Sequence, residues 1–130
     1  MKTVYQANDG TLFNFQSECE DYETATFLSK SINDGYLKML LADNKIVNDV
    51  FLLEDPSDAL STLQCDLIAY VCYDPETALE VNQIFNNRSV SYNEIFVKND
   101  FDYWVRLENE ISACEKKLNN LKKLKKIINF

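Results

Sequence analysis

The clearest hydrophobic pattern lies at the C-terminal end of the chain, where two series of positions each recur every seven residues. Together the series fill both seam positions of about three and a half heptads, and only a lysine interrupts them. An amphipathic helix whose first half packs on a sheet also explains the pattern. Six lysines extend beyond what a sheet could cover, so we expect residues 116–130 to project and contact a second copy or a partner. The two series are Trp104, Ile111, Leu118, Lys125 and Leu107, Cys114, Leu121, Ile128.

The N-terminal pattern predicts a β-hairpin followed by a helix. Apolar and polar residues roughly alternate over residues 3–7 and 11–15, on either side of the turn sequence Asn8-Asp9-Gly10. Ser17 and Glu20 have the spacing of a capping box and predict a helix over residues 18–32. The apolar stripe of that helix is Tyr22, Ala25, Leu28 and Ile32.

The middle of the chain alternates between strand-like and helix-like segments. Residues 36–42 fit either a strand or a short helix, and residues 46–53 favour a strand. Asp55-Pro56 and Asp74-Pro75 are typical helix starts, because aspartate caps and proline suits the first turn. The strongest strand is 66–73, followed by a helix over 75–86 and a strand over 89–97. This order is typical of a right-handed βαβ crossover.

These elements predict an α+β fold with a small sheet, an N-terminal β-hairpin, a βαβ-like unit and a long amphipathic C-terminal helix. The length of 130 residues argues for a single domain. Within it, we expect an acidic α+β part over residues 1–114, which includes the start of the terminal helix, and a lysine-rich helix end over 115–130.

Composition excludes several function classes. The chain contains no histidine, which removes the Ser-His-Asp relay and the HExxH metal site, and its two glycines cannot build a phosphate-binding loop. Carboxylate catalysis stays as an alternative, through Glu54, Asp55 and Asp58 or through Asp100 and Asp102, although acids at turns and helix starts are usually caps. We therefore expect no enzyme activity, no catalytic residue, no cofactor and no metal site.

Charge is segregated along the chain. Residues 1–114 hold 20 acidic and 7 basic side chains, net −13, whereas residues 115–130 hold one acid and six lysines, net +5. An acidic body is repelled by phosphate backbones, so we expect it not to bind nucleic acid directly. It could instead dock on a basic partner, including a protein that itself binds nucleic acid.

The four cysteines match no metal-binding spacing, and we interpret Cys19, Cys65, Cys72 and Cys114 as buried free thiols. No apolar run is long enough to cross a membrane, so no membrane partner is expected. Met1-Lys2-Thr3 leads straight into a strand-like stretch, which predicts a protein without a secretory signal in a reducing cytoplasm.

The phrase Val4-Tyr5-Gln6-Ala7-Asn8-Asp9-Gly10-Thr11-Leu12-Phe13, followed by Glu18-Cys19-Glu20-Asp21-Tyr22-Glu23, resembles the opening of many small phage proteins. The later Phe101-Asp102-Tyr103-Trp104-Val105, which opens a terminal helix, fits the same outline. This resemblance implies a phage protein in the cytoplasm of an infected bacterium.

Small acidic phage proteins without catalytic residues are often inhibitors of bacterial defence, of the anti-CRISPR or anti-restriction type. We therefore expect a stoichiometric inhibitor that binds a defence or host protein, and hold open a coiled-coil assembly protein of a phage, with homodimerisation through the terminal helix. The expected partner-binding or oligomerisation residues are Trp104, Leu107, Ile111, Leu118, Leu121 and Ile128.

Overall fold

The computed structural model describes residues 3–42, 45–50, 56–99 and 101–128. Over these residues the chain forms seven strands and four helices, which confirms the α+β class, the N-terminal hairpin and the long C-terminal helix. In chain order they are β1 (Tyr5–Gln6), β2 (Leu12–Phe13), α1 (Gln16–Asn33), β3 (Leu37–Leu41), β4 (Lys45–Ile46), α2 (Pro56–Asp66), β5 (Leu67–Cys72), α3 (Pro75–Ile84), β6 (Ile95–Lys98), β7 (Trp104–Arg106) and α4 (Leu107–Ile128).

The hairpin turns where the sequence predicts it. Tyr5 pairs with Phe13 across the two short strands, and Gly10 takes a φ of 93°, a conformation that favours glycine. The hairpin packs against α1, where the ring of Phe13 lies 5.1 Å from that of Tyr22. The backbone N–H of Asn8 also donates to a carboxylate oxygen of Glu23 at 3.0 Å.

Two of the three predicted helix starts agree with the structure. The Asp74 carboxylate accepts the backbone N–H of Thr77 at 3.1 Å, as expected of an N-cap before Pro75. Helix α2 begins at Pro56, whereas Asp55 lies outside the described residues. The capping box at Ser17 is wrong, because α1 is already helical there: Phe15 is its N-cap and makes no side-chain cap bond.

The large sheet has the order β4-β3-β5-β6-β7, and every neighbouring pair is antiparallel. The predicted parallel βαβ crossover is therefore wrong, although strand, helix and strand do follow one another. The ten residues of α3 run back along β5, and the chain then returns in a non-strand segment to the end of β5, where Asn93 N–H donates to the Cys72 carbonyl at 2.6 Å. From that end, β6 can only run antiparallel to β5.

Several predicted strand lengths also change. The ambiguous segment 36–42 is a strand over Leu37–Leu41. In the predicted strand 46–53, only Ile46 belongs to a strand, and residues 51–53 lie outside the described part of the chain. In the predicted strand 89–97, pairing begins at Ile95.

One face of the large sheet, the inner face, carries the core. Helices α1, α2 and α3 bury Leu28, Leu63 and Val81 against Met39 and Tyr70 of the central strands. The opposite, outer face is also apolar. Cross-strand partners share a face, so the strand register shows which residues lie together on it. Its longest row runs across all five strands through Ile46, Leu40, Ala69, Val97 and Val105.

The cysteines divide into two classes, which corrects the interpretation of all four as buried. Cys19 and Cys72 are buried, but Cys65 lies exposed in the last turn of α2 and Cys114 is exposed on α4. All four are free thiols. Burial raises the pKa of Cys72 to about 12 and also raises that of Cys19, beside which the charges of Glu23 and Glu20 act in the same direction.

This division predicts the outcome of a thiol titration. In dilute native protein near neutral pH, we expect Cys65 and Cys114 to react with a thiol reagent, while the two buried thiols stay protonated and shielded. Unfolding in denaturant should expose all four. The Cys65→Ser variant is the control and should lower the native count by one; rapid reaction of all four native thiols would contradict the burial.

Among the described helices, none is both long and apolar enough to cross a membrane.

Candidate protein-binding surfaces

Trp104 lies in strand β7, which corrects its prediction as the first residue of a helical seam. Its indole N–H donates to the Phe85 carbonyl at 2.9 Å, and its ring meets that of Tyr70 edge-on with centroids 4.8 Å apart. The Lys98 ammonium lies 5.3 Å from the centre of the ring. Trp104 thus fixes the edge strand to the core, and its contacts are intramolecular.

A buried hydrogen-bond network supports this anchor. The Tyr70 hydroxyl donates to Asn82 Oδ1 at 2.6 Å and accepts from Asn87 Nδ2 at 2.7 Å. Asn82 Nδ2 in turn donates to the Ser89 carbonyl at 2.8 Å. Burial raises the pKa of Tyr70, so its hydroxyl stays neutral and able to donate. The network holds the connection between α3 and β6, and thereby the position of β7 and α4.

Helix α4 follows β7 without a linker and has no buried residue over 22 positions. Leu107 is half-buried at the sheet edge, but every side chain from Ile111 to Ile128 is exposed. Packing against the sheet is therefore confined to the first turn, and the predicted projection agrees with this arrangement over residues 116–128, whereas residues 129 and 130 lie outside the described part of the chain. The predicted seam residues Ile111, Leu118, Leu121 and Ile128 all lie on this uncovered helix.

A second surface is an acidic groove of about 550 Å³ between α1 and α3. We define the acidic groove by the carboxylates of Glu20, Glu23 and Glu80 and the half-buried apolar side chains of Phe27 and Ile84. Sequence analysis found the acidic balance of the body but missed this juxtaposition. Helical spacing places Glu20, Glu23 and Phe27 on one face of α1, but only the fold brings α3 beside them.

A third surface is a cleft of about 940 Å³ between the segment after α3 and the first two turns of α4. Arg88 and Arg106 line it, together with Glu110. Arg106 is held in an ion pair with Glu94 at 2.9 Å and donates to the Ser91 hydroxyl at 3.2 Å. The cleft therefore has mixed charge, and one of its two guanidinium groups is already engaged by the protein.

The candidate catalytic carboxylates do not form a site in the described residues. Asp58 is exposed in the first turn of α2, and Asp102 is exposed in a turn, with a φ of 61° and its N–H on the Asn99 carbonyl. Glu54, Asp55 and Asp100 lie outside the described residues. Within the described ranges, cysteine and acidic side chains form no group of three that could hold a metal ion.

Comparison with known proteins finds no matching family model, and no curated protein or solved structure that matches the chain. The assignment of function therefore rests on the surfaces described above.

Proposed function

We propose that this protein is a non-enzymatic phage inhibitor that binds a protein of a bacterial antiviral defence system and blocks it stoichiometrically. The acidic groove is the observation that carries the proposal. It combines carboxylates with half-buried apolar side chains, and this combination suits a lysine or arginine side chain, whose apolar stem and charged head need different surroundings. A row of such residues is found where a defence nuclease or its complex holds nucleic acid.

Charge on the rest of the body supports the same docking mode. Residues 1–114 carry a net charge of −13, so the body is attracted to a basic surface over distances longer than a contact. Complementary charge accelerates association and excludes wrong partners. An acidic protein seated on a nucleic-acid channel would exclude the nucleic acid. The phage origin belongs to the proposal and is supported by the resemblance of the N-terminal residues.

A second candidate function is a coiled-coil assembly protein of a phage. The uncovered helix α4 favours it, since such a protein needs a seam and no foreign partner. A lack of inhibition in cells, combined with self-assembly of the purified chain beyond a closed pair, would favour this function over the inhibitor.

Charge reversal in the acidic groove tests the inhibitor. Expression of the wild-type chain should restore plaque formation on one of a panel of bacterial strains, each carrying a single defence system. The variant with Glu20→Lys and Glu80→Lys should lose this effect and bind the defence protein about 100-fold more weakly, since like charges across an interface cost several kcal/mol. Binding is measured by titration calorimetry with the defence component that responds.

The matched control carries Asp34→Lys and Asp66→Lys, two exposed acids outside the groove. It has the same net charge as the groove variant and should keep most of the inhibition. Equal loss of inhibition in both variants would mean that net charge, and not the acidic groove, is responsible. If the wild-type chain restored plaque formation on none of the strains in the panel, the proposed function would be contradicted.

A further inference from the structure

One side of α4 carries a line of mostly apolar positions that the rest of the described chain leaves uncovered. We call the α4 seam the line of positions that alternates spacings of four and three along this helix. A helix fixed to its domain only by its first turn has little packing to stabilise it, although most helical stability in proteins comes from packing of an amphipathic face. From Ile111 onward the seam is exposed to solvent in the single chain. The seam consists of Leu107, Ile111, Cys114, Leu118, Leu121, Lys125 and Ile128.

Charge on α4 is divided along its length. Among charged residues, positions 107–115 carry only the acids Glu108, Glu110 and Glu115, and the rest of the helix carries six lysines between residues 116 and 126. None of these lysines takes part in an ion pair within the described part of the chain. Two copies of α4 are thus complementary in charge when they run antiparallel, and not when they run parallel.

The flanking positions of the seam make this argument specific. In a parallel pair of helices, the residue just before Ile111 or Leu118 faces the residue five places later on the partner helix. Glu110 would then face Glu115, and Lys117 would face Lys122, so that both pairs are repulsive. A parallel pair of α4 helices therefore places like charges opposite each other at both of its charged flanking contacts.

We propose that α4 pairs antiparallel with α4 of a second copy, in the register that places Leu118 against Leu121 of the other helix. This register also sets Ile111 against Ile128 and Cys114 against Lys125, whose stem can lie along the seam while its ammonium reaches solvent. Each contact occurs twice by symmetry. The helices overlap over residues 111–128, a length of about 27 Å.

The same register pairs Glu115 with Lys122 of the second copy, again twice. It also sets Lys126 of each helix opposite Ala113 of the other, about one turn from Glu108 and Glu110, which are exposed and half-exposed. The acidic body of one copy thus receives the basic end of its partner. A second copy therefore satisfies both the apolar seam and the division of charge.

Reversing the paired charges tests both the dimer and its direction. Wild-type protein should have a mass of about twice 15.1 kDa by sedimentation at low salt. Glu115→Lys and Lys122→Glu, made singly, should each weaken association about tenfold, because two attractive pairs become repulsive. The variant with both changes should recover wild-type association. All of these positions are exposed, so the circular dichroism of the body should not change.

Lys123→Glu is the matched control, since this residue lies on the side of α4 opposite the seam, and it should leave the mass unchanged. Protection of Cys114 from a thiol reagent should rise with protein concentration, while the reactivity of Cys65 should not. A parallel pair predicts the reverse outcome, because Glu115→Lys would place unlike charges opposite Glu110 and strengthen association.

Three results would overturn the proposal. The first is a monomer at every concentration, and the second is stronger association of either single variant. The third is a dimer that Ile95→Glu, in the outer sheet face, abolishes but that neither Glu115→Lys nor Lys122→Glu weakens. The acidic groove is untouched in all of these variants. The proposed inhibition of a defence protein can therefore be contradicted while the dimer is confirmed, and the dimer can be contradicted while the inhibition is confirmed.

Discussion

Replacing Trp104 by alanine should lower the free energy of unfolding by about 3 kcal/mol, near the lower end for a packed aromatic residue because the ring is only half-buried. The change removes the edge-on contact with Tyr70 and the indole hydrogen bond to the Phe85 carbonyl. It also detaches β7 from the core, and with it the first turn of α4. Urea denaturation followed by circular dichroism measures the loss.

Tyr103→Ala is the natural control for this experiment. Tyr103 immediately precedes Trp104, is also aromatic, and has 69% of its surface exposed, so its loss should change stability by less than about 0.5 kcal/mol. If both variants were equally stable, Trp104 would not be a core anchor. Its assignment to an exposed seam would then regain support.

Two local signals in the sequence predicted local structure correctly, whereas a third, the capping box at Ser17, was wrong. The Asp74-Pro75 pair fixes the start of α3 because capping depends only on residues within one turn. The turn at Gly10 depends likewise on a few neighbouring residues and one permissive backbone position. These features could be predicted because the physical cause lies within the segment that shows the pattern.

Direction and register in the sheet depend on distant contacts and could not be predicted in the same way. A strand, a helix and a strand can follow one another as a parallel crossover or, as here, as an antiparallel pair in which an irregular segment returns the chain after the helix. The choice depends on where the chain after α3 meets β5, and one hydrogen bond from Asn93 to Cys72 marks that point. No periodicity in residues 75–95 encodes it.

Trp104 shows why a heptad pattern can extend beyond its helix. A spacing of seven between Trp104 and Ile111 is also met when the first residue belongs to a strand that runs directly into the helix. The cross-strand pairing of Trp104 with Lys98 decides between the two. From Leu107 to Ile128 the predicted helix is confirmed, because a seven-residue apolar period within one segment matches two turns of a helix.

The acidic groove could be predicted only in part. Its α1 residues share a helical face that is visible in the sequence, but Glu80 belongs to another helix, 60 residues beyond Glu20. The outer sheet face was missed for a related reason. Its apolar row takes one residue from each of five strands, and several of these strands are too short to show alternation.

Asn82→Leu should cost about 3 kcal/mol in the free energy of unfolding, because a buried hydroxyl and a part-buried carbonyl lose their partners and an unpaired buried group costs about 1–3 kcal/mol. The Tyr70 hydroxyl loses its acceptor, and the Ser89 carbonyl loses its donor. Asn82 is only 1% exposed and Tyr70 only 2%, so water cannot replace the contact between them without opening the core. Leucine has a similar volume, which keeps the effect of a cavity small.

Gln83→Leu provides the control, since Gln83 is the next residue of α3 and is exposed; its effect should stay within about 0.5 kcal/mol. Adding Tyr70→Phe to Asn82→Leu removes the unpaired hydroxyl, so the double variant should be more stable than the sum of the two single losses. Strict additivity in equilibrium urea denaturation would mean that the two side chains act independently. In that case the link between Tyr70 and Asn82 would not help to hold the segment that carries β6, β7 and α4.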